Sequence, residues 1–159
     1  MNFLKNAIAG MLIFLAATLP RTGAAETVAD VLAMQKAPVG VVFEIVSDDN
    51  DRLEQVLPPL RKDIERLREK FPKLDIAVVS HGDEQFALSN DKTEGNKATR
   101  YLVQSLVDGD KVTFHVCGTY AQMRGVDAGA FPSYVDVAPH GPSQIRNYVD
   151  FGYLKIVVN

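Results

Sequence analysis

The amino-acid sequence predicts an α/β fold, a three-layer sandwich in which helices cover both faces of a mostly parallel, five-stranded sheet. Five short runs rich in Val, Ile and other apolar residues, each bounded by turn-forming residues, are typical of buried strands. Helical spacing of apolar residues lies between them, and strands that alternate with helices favour right-handed βαβ units. The 159 residues, 47% hydrophobic and 23% charged, have the size and composition of one globular domain.

The N-terminus is predicted to be a secretory signal peptide over residues 1–25, which leaves residues 26–159 as the α/β domain. A basic start precedes an uncharged apolar run over residues 7–19, and small residues follow it, the pattern of a cleaved leader. Cleavage is expected after Ala25, with Ala24 as the alternative. At about 1.5 Å per residue the apolar run spans about 20 Å, less than the ~30 Å core of a bilayer. A cleaved leader is therefore favoured over an uncleaved anchor, and no stable membrane span is expected afterwards.

The predicted leader implies a periplasmic or secreted protein. Its removal changes the formal net charge from −3 to −5, because two basic residues and no acidic ones leave. An acidic chain is not typical of nucleic-acid binders, which usually carry a basic surplus. Cys117 is the one cysteine of the sequence, so no intramolecular disulfide can hold the fold. An unpaired cysteine in an exported protein is a candidate for a reactive thiol or an intermolecular partner.

The first half of the domain is predicted to contain two strands, at residues 39–46 and 74–80. Both are apolar runs rich in β-branched residues, and the first is preceded by Pro38 and followed by a polar loop. The second strand ends at His81. The polar stretch 84–96 that comes after it is predicted to be a loop.

Two helical segments are predicted between these strands. Apolar residues recur at helical spacing with charges between them, and Pro72 ends the pattern. Pro58 and Pro59 are not expected inside a straight helix, since proline lacks the backbone N–H and clashes with the preceding turn. We therefore predict a short helical turn over residues 52–57 and a second helix with Pro59 near its first position, where the missing N–H has no cost.

The second half of the domain is predicted to supply three more strands and the helices between them. Gly109, Gly125 and Gly152 are expected to end helical segments, and Ser143 is expected to N-cap the last helix. The predicted elements in order are a helix over 97–108, a strand over 112–117, a short helix or loop over 119–124, a strand over 135–138, a helix over 144–151 and a last strand over 153–158.

Candidate functional residues follow the predicted strands, because ligands of parallel α/β sheets bind beyond the carboxyl ends of the strands. His81, Cys117 and His140 lie at three of those ends. Cys117 precedes Gly118 and the start of a helix, where backbone N–H groups favour the thiolate, the nucleophilic form of the side chain. The alternative for Cys117 is a small, buried apolar side chain, which is common for free cysteine.

Each histidine has a functional and a structural interpretation. His115 is predicted to share a strand face with Cys117, where it either tunes the thiol or is an ordinary sheet histidine. His81, followed by Asp83, either polarises a bound sulfur species or caps backbone groups. His140 lies in a turn before a helix, where it also has either a functional or a structural role. No His or Cys spacing is that of a metal site, so neither metal nor cofactor is expected. The sequence also contains no G-x-S-x-G element of serine hydrolases and no Gly-rich phosphate loop after a strand.

Residues 114–126 (FHVCGTYAQMRGV) resemble the DsrE/DsrF-like family of small sulfur-relay proteins, in which a strand ending in Val-Cys is followed by a short helix and Arg-Gly. Residues 137–145 (VAPHGPSQI) look like the turn before the last helix of that family. Residues 151–157 (FGYLKIV) are similar to its last strand, with Gly-Tyr and a following Lys. The resemblance covers residues 37–158, nearly all of the predicted domain.

The resemblance implies a five-stranded, flavodoxin-like sandwich that assembles into trimers or hexamers, and a chemistry in which Cys117 carries sulfane sulfur as a persulfide. The implied partners are a sulfur donor, an acceptor thiol and further copies of the chain. The best-known members work in the cytoplasm, whereas this chain has a predicted leader. The candidate supporting or substrate-binding residues are His81, His115, Gly118, Arg124 and His140. The structural interpretation of Arg124 is a solvated helix face.

The predicted function is that of a periplasmic DsrE-like sulfur carrier or sulfurtransferase, which passes sulfane sulfur through a Cys117 persulfide. The alternative is a non-catalytic oligomeric module of the same fold, with a small-ligand-binding or structural role. A reactive Cys117 thiol favours the first, and an inert thiol favours the second.

Overall fold

A computed structural model describes residues 26–90 and 97–158 of the chain. The predicted leader and its cleavage site lie outside the described residues, and so does the second part of the predicted loop 84–96. The helices are α1 (Val28–Ala33), α2 (Arg52–Lys70), α3 (Lys97–Asp108), α4 (Gly118–Met123) and α5 (Gly141–Asp150), and the strands are β1 (Gly40–Ile45), β2 (Asp75–Ser80), β3 (Thr113–Cys117), β4 (Asp136–Ala138) and β5 (Tyr153–Val157).

The five strands form one sheet in the order β4-β3-β2-β1-β5. The chain steps outward from β1 to β4 and then crosses back to place β5 on the other side of β1. All four strand pairs are parallel, so the sheet is wholly parallel where a mostly parallel one is predicted. The predicted α/β fold with five strands is confirmed.

One face of the sheet forms the main core against α2 and α3. Side chains alternate along a strand, and Val41, Phe43 and Ile45 of β1 are all almost fully buried on this face. Phe114 and Val116 of β3 continue the same layer. The helix α2 adds an apolar stripe at intervals of three and four residues, made of Leu53, Val56, Leu57, Leu60, Ile64 and Leu67.

The opposite face of the sheet has a smaller core beneath α5. Ile145 of that helix packs with Val42, Ala77 and Val79 of the central strands. The same alternation also turns four polar or titratable side chains toward this face. They are Glu44, His115, Cys117 and Lys155. Reactive groups of the sheet therefore gather beside α5 and not in the main core.

The prediction of two helical segments before Phe71 is wrong, because α2 runs unbroken through Pro58 and Pro59. Each proline removes a hydrogen bond to a carbonyl group four residues earlier, here those of Glu54 and Gln55. Both prolines and both of these residues are exposed, so water can bind the freed carbonyl oxygens. The buried stripe continues on either side of the prolines, and its packing on the sheet holds the helix together.

Three local features differ from the sequence prediction. The helix α1 is not predicted, yet it starts with a capping box in which the side chains of Thr27 and Asp30 each accept the other's backbone N–H. The predicted loop 84–96 begins within a 3-10 helix, Asp83–Leu88, that is largely buried. The N-cap of α5 is His140 and not Ser143, because the His140 Nδ1 atom accepts the Ser143 N–H at 3.3 Å.

The predicted ends of two helices are confirmed. Gly125 after α4 and Gly152 after α5 have φ of +72° and +94°, values that a side chain with a Cβ atom rarely adopts. In the part of the chain that is described, no helix combines the length and the apolar character needed to cross a membrane.

Candidate functional site

The thiol of Cys117 lies at the carboxyl end of β3, where it caps the start of α4. Its Sγ atom accepts the backbone N–H of Tyr120 at 3.4 Å and that of Gly141, the first residue of α5, at 3.2 Å. The N-termini of two helices thus converge on one sulfur atom. Amide donors in this arrangement stabilise a sulfur anion more than a neutral thiol. The side chain is only 3% exposed, so the sulfur sits beneath the start of α5.

Gly141 allows α5 to approach the sulfur this closely. A Cβ atom at position 141 would lie 2.6 Å from the Cβ of His81 and 3.2 Å from the Cβ of Cys117. The first of these distances is too short for two carbon atoms, so a larger residue would push the helix away. The loop before α5 is tied to α4, because the Thr119 N–H donates to the Pro139 carbonyl at 3.0 Å.

A buried amide holds the backbone of Cys117 in place. Gln85 is fully buried, its Oε1 atom accepts the Cys117 N–H at 2.7 Å, and its Nε2 atom donates to the Cys117 carbonyl at 3.4 Å. Gln85 is not recognisable as a site residue from the sequence, because residues 84–96 form a polar stretch that predicts a loop. The local signal that this turn packs inward is the pair of apolar residues Phe86 and Leu88 within an otherwise polar stretch.

A buried carboxylate organises the loops that follow β1 and β2. Glu84 is fully buried and accepts four hydrogen bonds, which satisfies a charge that would otherwise be costly to bury. The donors and their distances are the Ser80 hydroxyl at 2.8 Å, the N–H groups of His81 and Gly82 at 3.0 Å each, and the Ser47 N–H at 2.7 Å. The position of His81 therefore depends on Glu84, which is also missed by the sequence analysis.

The structure brings His81 beside Cys117 and links it to two charged residues. His81 is mostly buried, and its Nε2 atom lies 3.0 Å from Glu44 Oε1. The other carboxylate oxygen of Glu44 accepts a hydrogen bond from Lys155 Nζ at 2.7 Å. Burial alone would raise the pKa of Glu44, but the hydrogen bonds from Lys155 and His81 and the positive charge of Lys155 outweigh it, so the pKa lies below its usual value.

A second polar cluster joins α4 to the loop after β2. The Tyr120 hydroxyl donates to Asp83 Oδ1 at 2.8 Å, and Arg124 pairs with the same oxygen at 3.3 Å. The hydrogen bond to Asp83 raises the pKa of Tyr120, because it favours the protonated phenol. Arg124 is at the far end of α4 from the thiol and is largely exposed, so its visible contact is structural.

The remaining predicted site residues, His115, His140 and Gly118, have structural contacts of their own. His115 shares the sheet face of Cys117 as predicted, but its Nε2 atom pairs with the Tyr148 hydroxyl at 2.8 Å. His140 caps α5 and turns its ring toward Ser143. Gly118 begins α4, and a Cβ atom there would be 3.2 Å from the Ala138 carbonyl. Among the described residues, no three His, Cys, Asp or Glu side chains are grouped as metal ligands.

Acidification below neutral pH is expected to destabilise the protein through His115. Burial lowers the pKa of His115 below 6.5, and the Asp136 carboxylate offsets this only in part. The unfolded chain therefore binds the proton first, so stability is full above about pH 6.5 and falls as the pH drops through this value. Urea unfolding between pH 7.5 and 5.5 measures the slope. In His115→Gln, which keeps a hydrogen-bonding side chain near Tyr148, the slope should be shallower.

The comparison of His115→Gln with wild type over the same pH range distinguishes this effect from the titration of other groups, because both proteins share all of those groups. An unaltered slope in His115→Gln would show that burial of this ring does not couple folding to protonation.

The fold and the site define a small parallel α/β protein with one thiol held between two helix N-termini at the carboxyl edge of the sheet. Two solved structures are similar to it. The protein of unknown function MTH1491 from Methanobacterium thermoautotrophicum is 23% identical, with a TM-score of 0.57 over 74% of this chain and 96% of that chain. The ychN protein from E. coli is 15% identical, with a TM-score of 0.52 over 74% of this chain and 97% of that chain.

These likenesses concern the fold. The ychN protein has a DsrE-like fold, so a DsrE-like fold is supported for this chain, as the resemblance of residues 114–126 implies. No protein-family model matches the sequence, and no curated protein matches it.

Proposed function

We propose that the protein is an exported sulfur carrier that holds sulfane sulfur as a persulfide on Cys117. The observation that carries the proposal is the pair of backbone N–H groups, from Tyr120 and Gly141, directed at one sulfur atom. A buried apolar cysteine needs no such donors, whereas a thiolate or a terminal persulfide anion gains from both. The DsrE-like fold and the resemblance of residues 114–126 to sulfur-relay proteins support the same chemistry.

The proposed reaction is an exchange of sulfur–sulfur bonds. The Cys117 thiolate attacks the sulfane sulfur of a donor persulfide R–S–SH, a new S–S bond forms, and the S–S bond of the donor breaks to release RS⁻. The product is Cys117–S–SH, and an acceptor thiolate then attacks its outer sulfur to regenerate the Cys117 thiolate. No external oxidant or reductant is required, since sulfane sulfur keeps its oxidation state through both steps.

Export and self-association are parts of the proposal that the sequence and the surface support. The predicted leader over residues 1–25 would deliver the domain to the periplasm. Several large apolar side chains are exposed near the start of β1 and the end of α5, and burying them between copies of the chain would favour self-association, for which the resemblance implies a trimer or hexamer. They are Val39, Val149 and Phe151, with 63%, 44% and 76% of their surface exposed.

Intact-mass spectrometry after treatment with polysulfide or thiosulfate tests the sulfur-carrier function. The wild-type protein should gain one sulfur atom, about 32 Da, and lose it again on addition of dithiothreitol. Cys117→Ser should gain nothing, because it removes the one thiol of the sequence. A wild-type protein that keeps its mass under these conditions would overturn the proposal.

One observation favours the alternative, a non-catalytic module of the same fold. Cys117 is only 3% exposed, as expected for a structural cysteine. A surface cavity of about 480 Å³ beside the start of α4, lined by Gly118, Thr119 and Pro139 among others, would then hold a small ligand without covalent chemistry. A ligand that binds wild type and Cys117→Ala equally well, with no mass gain on sulfur donors, would establish this second function.

A further inference from the structure

We propose that His81 carries the proton that Cys117 gives up and returns during sulfur transfer, and that Glu44 is the residue that positions His81 for this role. The inference rests on the proposed sulfur-carrier function and identifies the acid–base group of the same site. Three features of the structure carry it, namely the register of β2 and β3, the hydrogen bonds of the imidazole ring and the charges around it.

The register places His81 and Cys117 side by side. The strands β2 and β3 pair in parallel, with Ser80 opposite Val116. His81 and Cys117 each come one residue after this pair, so they lie next to each other. Neighbouring strands are about 4.8 Å apart, and these two side chains share one face of the sheet. A Cβ atom at Gly141 would lie 2.6 Å from the Cβ of His81 and 3.2 Å from the Cβ of Cys117. The Cβ atoms of His81 and Cys117 are therefore within about 6 Å of each other.

The hydrogen bonds of Glu44 determine which ring nitrogen of His81 is available. A carboxylate that also pairs with Lys155 is ionised and can only accept hydrogen bonds, so His81 Nε2 must carry the proton that bridges to Glu44. The other ring nitrogen, Nδ1, has no hydrogen-bond partner among the residues that are described. In the neutral ring this nitrogen holds a lone pair and is the proton acceptor.

Charged groups of three elements lie around His81 and its partner Glu44. The ammonium group of Lys155 pairs with Glu44 at 2.7 Å. Glu84 accepts the backbone N–H of His81 at 3.0 Å and adds a second nearby negative charge. The titratable and charged groups of the elements packed against His81 are Glu44 of β1, Lys155 of β5, Glu84 of the 3-10 helix and Cys117 of β3, while His140 at the start of α5 turns its ring toward Ser143.

The step conserves protons within the site. His81 Nδ1 accepts the thiol proton of Cys117, and the resulting imidazolium is stabilised by Glu44. The thiolate attacks the donor persulfide R–S–SH, the donor S–S bond breaks, and the imidazolium gives its proton to the departing RS⁻. The sum is Cys117–SH plus R–S–SH giving Cys117–S–SH plus R–SH, with His81 neutral again.

The test follows the initial rate of persulfide formation on the purified protein with glutathione persulfide, by intact mass, as a function of pH. At pH 7 we expect His81→Asn to be slower than wild type by about 100-fold and Glu44→Gln by about tenfold, because general acid–base catalysis contributes effects of this size. Both variants should recover rate at alkaline pH, where the thiol ionises unaided. Glu65→Gln makes the same chemical change as Glu44→Gln on the exposed side of α2 and should leave the whole profile unchanged.

Each outcome decides between the two proposals. If wild-type Cys117 takes up sulfur and both variants show the wild-type pH profile, His81 has no acid–base role and the inference is overturned while the sulfur-carrier function stands. If the wild-type protein takes up no sulfur, both proposals fail. A fall in rate that is equal at every pH would mark a structural effect, and it too would overturn the inference. Should His81→Asn not fold, Glu44→Gln and its pH profile decide alone.

Discussion

Replacing Glu84 by Gln is expected to lower the free energy of unfolding by about 2–4 kcal/mol. The carboxylate accepts four hydrogen bonds in a fully buried position. An amide of the same shape has one acceptor oxygen, so its NH₂ group must face at least one of the four donors. If the amide oxygen keeps the three donors of residues 80–82, the half-buried Ser47 N–H is left without an acceptor and opposite another donor.

Chemical denaturation of Glu84→Gln beside wild type measures this loss. The matched control is Glu65→Gln, the same substitution at an exposed position of α2, where the ion pair with Arg61 is solvated and a change within about 0.5 kcal/mol is expected. A loss below about 1 kcal/mol in Glu84→Gln would mean that the loops after β1 and β2 do not depend on the buried charge.

The strands and the thiol are predictable because their signals are local. A β-branched run bounded by turn residues is enough to locate β1 and β2. In a parallel sheet, the residues that follow each strand all lie at the carboxyl edge of the sheet. Cys117 needed only its place at the end of such a run. The pairing of His81 with Cys117 is one step harder, since it also requires that β2 and β3 be neighbours.

The groups that complete the site are not predictable in this way, because their partners are distant in the sequence. Glu84 and Gln85 read as part of a polar loop, yet they bond to Ser47 and Cys117, which are 37 and 32 positions away. Glu44 likewise reads as one polar residue in a buried strand until β5, 111 positions farther along the sequence, brings Lys155 beside it. Burial of a polar side chain is decided by these tertiary partners and leaves almost no trace in local composition.

The break predicted within α2 is the opposite error. Here a strong local signal, two consecutive prolines, predicts the end of a helix, but packing of the helix on the sheet overrides it. Pro58 and Pro59 are unfavourable inside a helix as an isolated segment. Their exposed position limits the cost to lost hydrogen bonds that water replaces, while Leu57 and Leu60 on the buried side keep the helix on the sheet. The exposure of a residue is therefore needed before the cost of a proline can be judged.

Replacing Gly141 by Ala is expected both to destabilise the protein and to change the chemistry of Cys117. The added methyl group would lie 2.6 Å from the Cβ of His81, so the first turn of α5 must move away from the sheet. Overpacking of this kind costs about 1–3 kcal/mol. The same displacement lengthens the 3.2 Å hydrogen bond from the Gly141 N–H to the sulfur, so the thiolate loses one of its two donors.

Alkylation of Cys117 by iodoacetamide as a function of pH separates the two consequences of this displacement. Loss of a donor to a charged acceptor should move the pH of half-maximal rate upward by about one unit relative to wild type. Retreat of α5 should at the same time raise the maximal rate, because the sulfur, 3% exposed in the native fold, becomes easier to reach. Gly129→Ala, an exposed glycine whose new methyl group would meet only the flexible Asp127 side chain at 3.1 Å, should change neither quantity. A Gly141→Ala profile that rises only in its maximum would mean that the N-terminus of α5 covers the thiol without stabilising its anion, and the case for a sulfur carrier would then rest on Tyr120 alone.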